Sequence, residues 1–209
     1  MTKITAITMQ EKNKKKCNLF LDGEFYAGVF VESVLKNRLK VGMEIDQQDL
    51  ADLMFESDKI IALQKSVDYT TKHLKTKRQV ITYLQGKGFS NDVVFYCIDK
   101  LIEYKLIDDK EFAKRYIEST ANKQGKHLTQ FMLANKGVKK EDVSAVYDEL
   151  DIDSRGNALI VAKKHIKNKE LTNENKTKTF RYLIGRGFSY EDANYAISNL
   201  GGEEQCNEF

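Results

Sequence analysis

The sequence predicts a mainly α protein: three tandem three-helix repeats forming an elongated, curved body, preceded by a small N-terminal β-meander with a helix. Three observations predict it. A glycine-ended motif recurs about every 50 residues, apolar residues at helical spacing follow each copy, and strand-like alternation is confined to the first thirty residues.

The N-terminal alternation comes in three runs. Ile4, Ala6 and Thr8 alternate with Thr5 and Ile7; Cys17, Leu19 and Leu21 with Asn18 and Phe20; Phe25, Ala27 and Val29 with Tyr26 and Gly28. Asp22-Gly23 suits the positive φ angles of a tight hairpin turn. The polar, basic run from Glu11 to Lys16 joins the first two strands. From Val31 the pattern becomes helical, and Asp46 is placed to cap a helix carrying Leu50, Leu53 and Met54.

The repeat is read from three segments. Leu84-Gln85-Gly86-Lys87-Gly88-Phe89 matches Leu133-Ala134-Asn135-Lys136-Gly137-Val138 and Leu183-Ile184-Gly185-Arg186-Gly187-Phe188, at spacings of 49 and 50 residues. Val94, Cys97, Ile98 and Leu101 then fall on Val143, Val146, Tyr147 and Leu150, and on Ala193, Ala196, Ile197 and Leu200. Each set occupies one face of a helix. The motif has a physical cause: a left-handed glycine ends the helix, and the leucine four residues before it touches the apolar residue just after it. Ser90 and Ser189 are placed to cap the following helices, whereas Lys139 breaks the capping pattern in the middle copy. An earlier helix fits each unit at roughly 57–72, 108–122 and 153–168, with Asp108 and Glu111 at capping-box spacing. The expected divisions are 1–56 for the strands plus helices, 57–105, 106–150 and 151–201 for the repeats, and 202–209 for a flexible tail.

Composition narrows the function classes. The chain has 209 residues, 41% hydrophobic and 31% charged, with no proline and no tryptophan. Its apolar runs are short, so neither a membrane span nor a secretory leader is expected. Cys17, Cys97 and Cys206 form no C-x-x-C pair, which argues against a disulfide framework or zinc site and fits a reducing cytoplasm. Cys97, among Val94, Ile98 and Leu101, reads as a core residue. Gly86-Lys87-Gly88 and Gly185-Arg186-Gly187 lack phosphate-loop spacing and end a helix instead of opening one. Asp108-Asp109 has no further ligands nearby to make a metal pair, and no nucleophile–base constellation is visible. No cofactor and no enzymatic activity are expected.

The net charge is only +3, but it is unevenly spread. Residues 61–105 hold eight lysines and arginines against four acids, a local +4, while 106–150 and 151–209 balance. Lys72, Lys75, Lys77, Arg78 and Lys87 form the densest basic cluster. Lys163, Lys164, Lys167 and Lys169 form a second, followed by Lys176, Lys178, Arg181 and Arg186. These side chains are the candidate contacts for an anionic partner.

The run Ile107-Asp108-Asp109-Lys110-Glu111-Phe112-Ala113-Lys114-Arg115-Tyr116, then Gly125-Lys126 and Leu133 through Val138, resembles the RecX regulatory proteins of bacteria. Tyr182 through Tyr190 is similar to that family's last repeat. The resemblance implies a cytoplasmic, non-enzymatic modulator of the RecA recombinase, tied to DNA repair and the SOS response. Such a protein lies in the groove of the RecA filament on single-stranded DNA and lowers ATP hydrolysis and strand exchange. It implies contact with single-stranded DNA weakly or only within the filament, and a monomer. After Gly125-Lys126 the family commonly carries several arginines, whereas this chain has His127-Leu128-Thr129-Gln130-Phe131-Met132. Two other readings of the residues stand beside it: a helical DNA-binding protein or transcription factor acting without RecA, and a helical scaffold for protein partners.

Overall fold

Three antiparallel strands open the chain, as the alternation predicts: β1 (Thr2–Met9), β2 (Lys16–Leu21) and β3 (Glu24–Phe30). The computed structural model describes residues 1–11 and 13–201, so Lys12 and the expected tail at 202–209 lie outside the described residues. The β2–β3 turn takes positive φ at both Asp22 (49°) and Gly23 (91°), the twist a two-residue hairpin needs. A fourth strand, β4 (Glu44–Ile45), pairs with β1 and gives the order β3-β2-β1-β4. Sequence periodicity does not predict it, because two residues carry no period. Ile4, Leu19 and Val29 are fully buried and form a core with Ile45, Leu50 and Leu53.

The short α1 (Val31–Lys36) follows β3, and α2 (Gln47–Lys72) runs for 26 residues. The structure thus corrects one expectation: the Asp46-capped helix and the helix at 57–72 are a single helix. Its N-terminal turns bury Leu50 and Leu53 against the sheet, and its later turns bury Ala62, Ser66 and Thr70 in the first repeat. The Asp46 carboxylate accepts the Asp49 N–H at 2.8 Å, as its position predicts.

The remaining helices fill the repeats. Repeat 1 adds α3 (Lys77–Gln85) and α4 (Asn91–Glu103) to the end of α2. Repeat 2 is α5 (Asp109–Thr120), α6 (Lys126–Asn135) and α7 (Lys140–Leu150). Repeat 3 is α8 (Ser154–Ile166), α9 (Asn173–Gly185) and α10 (Tyr190–Ser198). Each repeat buries its own cluster, with Leu84, Leu133 and Leu183 fully buried at equivalent points.

The glycine motif does what its spacing demands. Gly88, Gly137 and Gly187 take φ of 86°, 87° and 84°. In each copy the residue after the glycine donates its N–H to the leucine carbonyl: Phe89 to Leu84 (3.3 Å), Val138 to Leu133 (3.1 Å) and Phe188 to Leu183 (3.2 Å). Each glycine N–H closes the inner bond, to Gln85, Ala134 and Ile184 at 2.9 Å. This is a Schellman cap three times over. Ser90 and Ser189 cap α4 and α10, Asp108 caps α5 through the Lys110 and Glu111 N–H groups, and Lys139 caps nothing with its side chain.

Two compact units share the chain: Met1–Leu74 with Val80–Ile107, and 75–79 with 108 onward. Inside the second, one geometry occurs twice. Thr76 and Gln79 exchange hydrogen bonds at the start of α3 (3.0 and 3.2 Å), and the buried Thr76 hydroxyl donates to the Lys136 carbonyl at 2.6 Å, inside the repeat 2 cap. Forty-nine residues later Gly125, at the start of α6, donates its N–H to the Arg186 carbonyl at 2.9 Å, and the His127 N–H reaches the Gly187 carbonyl at 3.1 Å. In both, within this unit, a helix start docks on a glycine turn.

Candidate partner and nucleic-acid interface

The basic residues singled out by sequence divide between the two units. Lys72, in the last turn of α2, and Lys87, in the repeat 1 glycine turn, belong to the first; Lys75, Lys77 and Arg78 belong to the second. Lys72, Lys77, Arg78 and Lys87 are exposed, and Lys75 is half-buried. Arg78 also contributes packing, because its aliphatic stem covers Gly137, where an added Cβ would stand 2.6 Å from the Arg78 Cδ. The Lys77 N–H donates to Asp109 Oδ1 at 2.8 Å, and burial pushes the Asp109 carboxyl up from its ordinary range. Asp108 and Asp109 therefore hold helix starts.

In repeat 3, Lys163 and Lys164 lie in the last turn of α8 and Lys167 follows it, all exposed. Lys176, half-buried, and Lys178 and Arg181, exposed, lie on α9, which packs on α8. Lys178 pairs with Glu174 at 2.7 Å, and this contact holds the Glu174 carboxyl below its usual range. The guanidinium of Arg186 lies over the Tyr182 ring at 5.6 Å. Among the described residues, Lys72, Lys77, Lys164, Lys167 and Arg181 carry no ion pair, which leaves their charge available to an anion. The cations of α5 differ. Lys110 and Lys114 share Glu149 (3.6 and 2.7 Å), and Arg115 binds Glu111 at 2.7 Å.

Two concavities escape sequence reasoning, because each collects residues far apart in the chain. A cleft of about 520 Å³ in the second unit is lined by Lys126, His127, Tyr147, Asp148, Asp151 and Asp192, among others. Lys126 lies 5.0 Å from the Tyr147 ring, and burial pushes the Tyr147 hydroxyl up from its ordinary range. Its serines are engaged in structure: Ser189 caps α10, and Ser154 donates to Asp192 at 2.7 Å. A groove of about 420 Å³ in the first unit runs over Ile60, Leu63 and Val67, with Tyr96, Tyr104 and Glu56 at its rim. Glu56 is tied to Lys36 and Lys59, both at 2.9 Å. His165 is half-buried, contacts Thr179 Oγ1 at 3.1 Å and stacks on Tyr182; burial first, then Lys169, lowers its pKa. Among the described residues no group of three or more His, Cys, Asp or Glu side chains could hold a metal ion, and no helix is long and apolar enough to cross a membrane. Cys97, fully buried as expected of a core residue, has its thiol pushed up to about 11 by burial.

Fold and surface together define a tandem helical-repeat protein, each repeat with a glycine-ended helix, that carries cations free of ion pairs on its first and third repeats. Residues 2–46 match the family model for the regulatory protein RecX N-terminal domain. A regulatory protein RecX of Clostridium tetani is 32% identical over 205 residues, covering 96% of this chain and 95% of its own. One of Clostridium botulinum is 29% identical, covering 91% of this chain and 92% of its own. A crystal structure of a regulatory protein RecX superposes with a TM-score of 0.70 at 22% identity, over 95% of this chain and all of the other. The chain belongs to the RecX family of regulatory proteins.

Proposed function

We propose that this protein lies in the groove of the RecA filament on single-stranded DNA and lowers its ATP hydrolysis and strand exchange. The observation that carries the reading is relatedness along nearly the whole chain to proteins named regulatory protein RecX. The surface supports it: the regulator needs no chemical step of its own, only charge that meets DNA phosphates and acidic protomer surface. Lys72, Lys75, Lys77, Arg78 and Lys87 supply that charge in repeat 1, and Lys163, Lys164, Lys167, Lys176, Lys178, Arg181 and Arg186 in repeat 3. The protein acts as a cytoplasmic monomer without a cofactor, and single-stranded DNA is met weakly or within the filament.

The test is ATP hydrolysis by RecA on a saturated single-stranded template. Sub-stoichiometric protein is expected to lower the rate, because one groove-bound molecule touches several protomers. An unchanged rate at equimolar protein, with no co-sedimentation with the filament, defeats the reading. Binding to bare duplex DNA under those conditions would instead point to a DNA-binding protein acting without RecA.

A further inference from the structure

Repeats 1 and 3 build the same small device at the same three positions. Tyr69 lies against Tyr83 with ring centroids 4.2 Å apart and planes 9° from parallel, and Lys87 Nζ stands 5.7 Å from the Tyr83 centroid. His165 lies against Tyr182 at 4.2 Å and 13°, and Arg186 stands 5.6 Å from the Tyr182 centroid. The positions correspond by sequence. Tyr83 and Tyr182 are 99 residues apart, as are Lys87 and Arg186. Tyr69 and His165 share the 96-residue spacing of the buried pair Ala62 and Ala158, a helix earlier. The middle repeat has Thr120, Met132 and Lys136 there, and no ring.

Packing alone does not require this arrangement. In repeat 1, Tyr69 and Tyr83 do pack against the cluster that holds Leu84, but in repeat 3 the cluster that holds Leu183 includes neither His165 nor Tyr182, and Tyr182 stays 37% exposed. Arg186 Nε is buried without a hydrogen-bond partner among the described residues. Parallel rings under a cation, on the helices α8 and α9 that also carry Lys164 and Arg181, offer what an unstacked nucleobase and its phosphates take up: a flat π surface, a planar or point cation, and charge for the backbone.

We propose that the His165–Tyr182–Arg186 stack of repeat 3 is a platform on which single-stranded DNA lays a base, and that Tyr69–Tyr83–Lys87 is its counterpart in repeat 1. The inference rests on the proposed function only in taking single-stranded DNA as the ligand. It adds that contact is made to bases as well as phosphates. Because every base has a π face, such a platform tolerates sequence, and the middle repeat takes no base.

The full chain is titrated against a fluorescein-labelled oligothymidylate and against an abasic deoxyribose–phosphate strand of equal length. Wild type is expected to bind the base-bearing strand more tightly. Tyr182→Leu weakens that binding by about fivefold or more and leaves the abasic affinity and the salt dependence unchanged. Tyr182→Phe retains the preference, which shows that a folded ring suffices, and Met132→Leu behaves as wild type. Equal binding of the two strands by wild type, no binding of either, or a Tyr182→Leu variant whose base preference is undiminished or that loses both affinities together overturns the platform. The two failures are distinguishable. If the platform fails, wild type still lowers RecA's ATP hydrolysis; if the RecA reading fails, the base preference and its reduction in Tyr182→Leu remain.

Discussion

Alanine at Gly88, Gly137 and Gly187 separates two costs that a single substitution would merge. All three backbones are left-handed, with φ between 84° and 87°. An L-residue there costs about 1–2 kcal/mol. At Gly88 that is the whole cost, since an added Cβ meets nothing within 4 Å. At Gly137 the Cβ collides with the Arg78 stem, whose Cγ would be 3.1 Å away. Arg78 can swing its outer carbons but not its own Cβ, so overpacking adds about 1–3 kcal/mol. At Gly187 the obstacle is the backbone of Leu128, with its Cα at 2.9 Å, and α6 itself must move. The expected losses therefore rise from about 1–2 kcal/mol at Gly88, through about 2–5 at Gly137, to more at Gly187. Urea titrations followed by far-UV circular dichroism give the order. A Gly88→Ala protein as stable as wild type refutes the left-handed-cap argument, and equal losses at all three positions refute the packing argument. Gly137→Val, with a branched Cβ, should fall below Gly137→Ala.

Thr76→Val removes the hydroxyl that accepts from the Gln79 N–H and donates to the Lys136 carbonyl, so the thermal midpoint should fall by several degrees, for a loss of about 1–2 kcal/mol; an unchanged midpoint means that these two bonds contribute nothing. Replacing Lys72, Lys75, Lys77 and Arg78 together by Gln should weaken binding to RecA-coated single-stranded DNA and flatten its log–log salt slope by about 0.7 for each phosphate no longer neutralised. Gln at Lys123, Lys126 and Lys136 should do less, and the reverse ranking would move the contact surface to the middle repeat. Cys97, fully buried with its thiol pushed up to about 11, should resist alkylation at pH 8 in the native protein and react only in urea; native labelling detected by mass spectrometry contradicts that burial.

The elements legible in sequence are those whose cause is local. The Leu84–Gly88–Phe89 cap and the Asp46, Asp108 and Ser189 helix starts each need only residues within one turn of each other, and each appears where its spacing puts it. The continuity of α2 is hidden because its buried face passes from Leu50 and Leu53 to Ala62, Ser66 and Thr70, small or polar side chains that carry no hydrophobic period. The Thr76–Lys136 bond spans 60 residues, and no local pattern announces it. Counting cations along the chain finds Lys72 and Arg181. Such a count misses the Arg78 stem over Gly137 and the rings beside Lys87 and Arg186, because both depend on how helices pack.

The link between repeats 2 and 3 has backbone on both sides at its centre. A Cβ on Gly125 would collide with the Gly187 carbonyl, and one on Gly187 with the Leu128 amide. Two main chains in direct register, tied by the Gly125 and His127 hydrogen bonds, leave no side chain to loosen, modify or swap. These two repeats should therefore behave as one mechanical block, with amide protons on both sides of the seam expected to exchange together.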